Sequence, residues 1–182
     1  MNALLLTATD RWHREHRGSV ATIAGYSGLR TIPTTPGLDV MKRQLEIDLR
    51  TRFGEATRAG MLEDPVLAAY ERYDRRFGQS YHVAMQIRSI AQKGKAIPDR
   101  NAVVEAMFMT EMACGVLASV QDLESIALPI EIDGTDGGEE FVRYDGVTEC
   151  CKDGDQLMWD GAGRILSSIA QGPTINGLVT EH

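Results

Sequence analysis

KGKAIPDRNAVVEAMFMTEMACGVL, Lys93 to Leu117, changes character part-way along its length. It opens as a basic turn broken by Gly94 and Pro98, then continues as a helix with apolar residues at almost every angle. Gly94 is placed to end a preceding helix, and Pro98 forces an abrupt change of direction. Asp99 reads as the N-cap of the helix after the turn. Val103, Val104, Met107, Phe108, Met112 and Leu117 spread around most of the circumference, which is the pattern of a buried helix. Glu105 and Glu111 fall inside that helix, where a carboxylate without partners is costly. The stretch predicts a domain organised around a central helix.

Upstream, Leu4 to Ala8 reads as a short strand. Arg11, His13, Arg14, His16 and Arg17 cluster around Trp12, either a phosphate-and-base grip or a solvated helix face anchored by its tryptophan. Gly18 to Leu29, small and β-branched, predicts a central strand. Thr35-Pro36 and Asp64-Pro65 each supply an N-cap followed by proline at the first helical position. The first of these helices carries Leu38, Met41, Leu45 and Leu49 at helical spacing and stops at Gly54. The second has Val66, Tyr70, Tyr73 and Phe77 as its inner stripe, Arg72, Arg75 and Arg76 outside, and Gly78 as its end. Ser80 reads as the cap of a third, with Val83, Ile87 and Ile90 inward and Gly94 at its end.

Downstream of Leu128 the chain breaks into short apolar runs separated by Asp-Gly and Gly-Gly pairs. The pairs are Asp133-Gly134, Gly137-Gly138, Asp145-Gly146, Asp153-Gly154 and Asp160-Gly161. Such pairs between strand-like runs signal hairpins. Helices followed by hairpin strands predict an α+β fold with helices covering a mainly antiparallel sheet. No repeat or linker composition appears, so residues 1–182 are expected to form one domain.

Charge divides unevenly. Residues 1–104 carry 16 Lys and Arg against 11 Asp and Glu, and residues 105–182 carry 3 against 15, giving −7 overall. Nucleic-acid contacts need clustered cations, so an RNA surface would have to come from the first 104 residues. Cys114, Cys150 and Cys151 show no zinc-ligand spacing and are expected to be reduced structural thiols. His13 and His16 lack a third ligand in sequence, so no metal is expected. Ala3 to Leu6 is too short for a membrane span or a signal segment, which makes the cytoplasm the expected location. There is no P-loop, Rossmann fingerprint, nucleophile elbow or zinc-protease motif, and no cofactor is expected.

Three features occur in a set order: KGKAIPDRNAVVEA; GGEEF with YDG, at Gly137–Phe141 and Tyr144–Gly146; and ILSSIAQGPTINGLVT, Ile165 to Thr180. Together they resemble the B3/B4 domain of the phenylalanyl-tRNA synthetase beta chain, and more closely the small stand-alone proteins built from that domain. The likeness runs from about Trp12 to the C-terminus. The chain stops soon after the Gln-Gly-Pro loop, where the resemblance implies a further strand or two, so a copy shortened at that end is expected. In the synthetase this domain hydrolyses tyrosine wrongly attached to the phenylalanine tRNA, raising fidelity with a second pocket. Such a site must hold an aminoacyl ester, direct a water at its carbonyl and stabilise the oxyanion.

The resemblance implies a pocket made by the start of the central helix, Gly137-Gly138 and the loop Gln171, Gly172 and Thr174. Asn101 stands at the family's pocket asparagine, and Glu105 replaces its aspartate. Phe108 stands where the family has a further Asn; a histidine after the helix and a glutamate in the final loop are also missing. Glu105 is read either as a general base or as a buried acid tied to Arg or backbone donors, and Asn101 either as substrate-binding or as stabilising the first helical turn. Lys93, Lys95 and Arg100 are read either as phosphate contacts or as a solvated turn. The resemblance implies tRNA or aminoacyl-tRNA as partner, with no DNA or membrane. Two functions are compatible with these readings: a stand-alone protein that binds or deacylates mischarged aminoacyl-tRNA, or a non-catalytic module binding an amino-acid-like molecule.

Overall fold

A computed structural model describes residues 5–29 and 31–179, which fall into two units. The first, residues 5–29 and 121–179, holds all the strands. The second, residues 31–120, is helical. The fold is α+β, with a mixed, mostly antiparallel sheet. No described helix is long and apolar enough to cross a membrane.

In the first unit, β1 (Leu6–Ala8) runs into α1 (Asp10–Glu15) through Thr9, whose hydroxyl accepts from the Trp12 amide at 3.1 Å. Leu4, expected to open that strand, lies outside the described residues. Then come β2 (Ile130–Gly134), the hairpin β3 (Glu140–Val142) and β4 (Thr148–Cys150), β5 (Gln156–Trp159), β6 (Ile165–Ser168) and β7 (Gly172–Pro173). The main sheet has the order β1-β2-β5-β6-β7. Leu6 opposite Ile130 makes β1-β2 parallel, and every other pair is antiparallel. Phe141, Cys151, Leu157 and Ile165 form its core. Trp12 is buried, and its indole N–H donates to Gln156 Oε1 at 2.7 Å, which pins α1 through its apolar side. A methyl group on Gly134 would lie 2.6 Å from the Glu15 carboxylate, the movable end of a side chain on α1.

Two strand-unit expectations are corrected. Residues 18–29 form no strand; the segment is exposed, with Val20 at 85% and Tyr26 at 72%, and no described strand pairs with it. β-branched composition does not make a strand without a ladder partner. Asp133-Gly134 belongs to β2 rather than to a turn. Asp145-Gly146, by contrast, does turn the β3-β4 hairpin, with the Arg143 amide donating to Val147 O at 2.8 Å.

The helical unit contains α2 (Pro36–Phe53), α3 (Arg58–Met61), α4 (Pro65–Arg75), α5 (His82–Lys93) and α6 (Ala102–Cys114). Thr35 and Asp64 cap α2 and α4, and Gly94, left-handed at φ +66°, closes α5. Leu49, Phe53, Leu67, Tyr81, Val83, Ile87, Ile90 and Met112 build the core. Several inward assignments shift. Met41 is 59% exposed while Lys42 is buried, and Leu67 replaces Val66 as the deepest residue of α4. Ser80 does not cap α5; its hydroxyl takes a guanidinium N–H of Arg58 at 3.1 Å. The central helix is not buried all round: Ala106, Thr110, Ala113 and Cys114 are exposed, and Gly115 ends the helix before Leu117.

Candidate functional site

The turn before α6 fixes the best-defined polar cluster of the helical unit. Asn101, not Asp99, is the N-cap: its side-chain oxygen accepts from the Val104 amide at 3.0 Å. Asp99 instead takes Lys42 Nζ at 2.6 Å. A backbone bridge between Pro33 and Asn101, with the Ala102 amide on Ile32 O at 2.9 Å, ties the strip before α2 to the start of α6. That juxtaposition brings Thr34 and Lys42 onto Glu105.

Glu105 is 1% exposed and both its oxygens are engaged. Oε1 accepts from the Arg100 amide at 2.7 Å; Oε2 accepts from the Thr34 hydroxyl at 2.7 Å and lies 3.3 Å from Lys42 Nζ. Burial alone would push this carboxyl up, but the Arg100 amide, Thr34 and Lys42 outweigh it and hold it below the ordinary range. Burial likewise opposes the charge on Lys42, and Asp99, Asp39 and Glu105 overcome it, so the ammonium is held more tightly than usual. Glu105 is therefore a carboxylate with its hydrogen-bonding capacity in use, and a proton-abstracting role would need one oxygen turned out of this cluster. Its partners are Thr34, just before α2, and Lys42, inside it, a polar residue whose burial no periodicity announces.

Lys93, Lys95 and Arg100 are exposed on the same turn. The turn is held at both ends: the Lys95 amide donates to Ser89 O at 3.1 Å, and the Arg100 amide to Glu105. Glu111, the second acid of α6, forms no ion pair among the described residues. Its Oε1 accepts from the Ala118 amide at 2.9 Å, and burial raises its pKa to about 7.

The remaining residues expected at the site belong to the strand unit. The Gly138 amide donates to Cys151 O at 3.0 Å, and Gln171 Nε2 donates to Cys150 O at 2.9 Å, so both are fastened to the end of β4. Gly137, at φ +83°, packs so closely that a methyl group there would lie 2.8 Å from the Asp153 amide. Gly172 is also left-handed, at φ +92°, with open space around it. Thr174 is fully buried and donates to Ile165 O at 2.7 Å. Behind this loop, Asp155, also fully buried, accepts from the Ser168 hydroxyl and the Ala170 amide. The 171–174 loop is thus braced by buried polar bonds.

Two grooves of the helical unit are lined by neither Asn101 nor Glu105. One, of about 400 Å³, runs between α2 and α6 over Leu38, Met41, Leu45, Ala106, Met109 and Ala113. Cys114 and Cys150 are exposed rather than structural; Cys151 is buried, and that burial first, with nearby Glu139 and Asp155, pushes its thiol up to about 12. Among the described residues, no three His, Cys, Asp or Glu side chains gather as metal ligands would. No family model, curated protein or solved structure matches the chain.

Proposed function

We propose that this chain is a stand-alone tRNA-binding protein of the B3/B4 type that holds mischarged aminoacyl-tRNA, the first step of deacylating it in trans. The observation that carries the reading is the basic turn Lys93 to Arg100. Its three cations are exposed, and its backbone is fixed by the α5 C-cap and by Glu105. A preformed cationic turn suits phosphate, because contacts to the sugar-phosphate backbone position an RNA before any base or ester is read. Glu105 serves this reading by holding the turn. The ordered sequence features shared with the B3/B4 domain support the choice of aminoacyl-tRNA as ligand.

The test is binding and deacylation of a panel of mischarged tRNAs at moderate salt, with Lys93→Ala/Lys95→Ala/Arg100→Ala alongside wild type. Wild type is expected to bind, and the triple variant to bind weakly with a shallower salt dependence. If no aminoacyl-tRNA is bound or hydrolysed, the reading is wrong.

A second reading, a module for an amino-acid-like small molecule, is favoured by the groove between α2 and α6. Its roughly 400 Å³ falls in the range of small-molecule pockets, and its floor is apolar. Thermal-shift screening of free amino acids and metabolites would support it if a ligand raised Tm and Ala106→Trp, at an exposed position lining the groove, abolished the effect.

A further inference from the structure

The outer face of α4 carries a continuous band of arginine and aromatic side chains. At 100° per residue, Arg75, Arg72, Arg76, Tyr73 and Phe77 are neighbours around the C-terminal half of the helix and its end. Arg58 joins the band at the Arg75 side, because both guanidinium groups contact the same oxygen of buried Glu71. One carboxylate thus serves two arginines whose side chains remain 58% and 62% exposed. Arg72 and Arg76 are exposed beside them.

At the other edge, Tyr73 and Phe77 meet with ring centroids 5.3 Å apart. The Arg76 guanidinium lies over both rings, at 5.1 and 5.4 Å. These two aromatics are half-buried and stand outside the hydrophobic core, whereas Tyr70 of the same helix stacks on Tyr81 at 4.5 Å and packs against that core. The aromatic stripe therefore splits into a core residue and a surface pair capped by arginine.

We infer that this α4 face is a single-stranded nucleic-acid contact, in which Arg58, Arg75 and Arg72 track successive phosphates and the Tyr73-Phe77 pair, with Arg76, stacks a base. Guanidinium groups beside half-buried rings at the surface supply the two elements such contacts use, backbone neutralisation and sequence-tolerant stacking. A lipid surface fits less well, since the aromatic edge is lidded by a guanidinium rather than presented for insertion. The inference goes beyond the aminoacyl-tRNA reading and stands on different residues, so either can fail alone.

The experiment is fluorescence anisotropy of a labelled 12-nucleotide single-stranded RNA of mixed sequence, unacylated, with the full chain at 50–200 mM salt. Wild type is expected to bind with a salt slope that Arg72→Ala/Arg75→Ala reduces by about 1.4, at roughly 0.7 for each phosphate no longer neutralised on a single strand. Tyr73→Leu is expected to weaken binding at least about fivefold without changing that slope. Arg88→Ala, on α5, removes one positive charge elsewhere, as the single Arg72→Ala does on α4, and is expected to bind as wild type does. Circular dichroism verifies that each variant is folded; Arg72→Ala alone, at an exposed position, is the fallback and should lower the slope by about 0.7. Failure of wild type to bind at 50 mM salt, equal losses in Arg88→Ala, or binding to anionic vesicles but not to the RNA would overturn the inference.

Discussion

Replacing Lys42 by methionine removes the ammonium from a pocket that holds Glu105 with both oxygens engaged and almost no exposure. In that variant Glu105 keeps the Thr34 hydroxyl and the Arg100 amide, each at 2.7 Å, but loses the cation 3.3 Å away. Removing one partner of a buried ion pair typically costs about 3–5 kcal/mol, because the remaining charge stays desolvated. Asp99 is 81% exposed and Asp39 36%, so water replaces much of what they lose. The low end, about 3 kcal/mol, is therefore the expected loss.

With a urea slope of roughly 2 kcal/mol per molar, the midpoint should fall by about 1.5 M. The probe should be far-UV circular dichroism, since Trp12 and Trp159 both lie in the strand unit. Glu105→Gln should lose a comparable amount, while Lys42→Met/Glu105→Gln should lose much less than the sum, which measures the coupling. The sign with pH comes from a carboxyl held below its ordinary value near 4.5: the stabilisation is present above that value and drains away as pH falls. A loss under about 1 kcal/mol in Lys42→Met, additive with Glu105→Gln, would refute the argument that this pair is desolvated and coupled.

Glu111 should act in the opposite sense. Its carboxyl is raised to about 7 by burial, so its contribution is intact below the unfolded value of 4.5 and is lost as pH rises through 7. Glu111→Gln is then expected to flatten the stability profile between pH 5 and 8 and to be more stable than wild type at pH 8 by about 3 kcal/mol; parallel profiles would contradict this. Among the loop glycines, Gly137→Ala should cost more than about 2 kcal/mol, since the left-handed backbone and the Asp153 amide at 2.8 Å both oppose a side chain. Gly172→Ala, equally left-handed but with open space, should cost only about 1 kcal/mol, and tryptophan fluorescence in urea compares the two.

Local chemistry was legible in the sequence wherever neighbours in the chain suffice. Thr35-Pro36, Asp64-Pro65 and Gly94 cap helices as their residue types predict, and Val83, Ile87 and Ile90 point inward as their spacing requires. The change from helical runs to Asp-Gly-separated strands likewise announced an α+β fold. What escaped depends on distant partners. Residues 18–29 have strand composition but no ladder, while Leu6 finds Ile130 far along the chain. Glu105 drew attention as an acid in an apolar helix, yet its role depends on Thr34, 71 positions earlier, and on Lys42, whose burial breaks the periodicity of α2. The aromatic stripe of α4 read as one unit because spacing cannot tell Tyr70, stacked on Tyr81, from Tyr73, covered by Arg76.

The most direct test of the functional account is the dissociation constant for a mischarged aminoacyl-tRNA, measured by filter binding across a salt series. The account predicts saturable binding whose salt slope falls by about 2 to 3 when Lys93, Lys95 and Arg100 are all replaced by alanine, at about 0.7–0.9 for each phosphate neutralised. Absence of binding by wild type, or a slope unchanged in the triple variant, would contradict it.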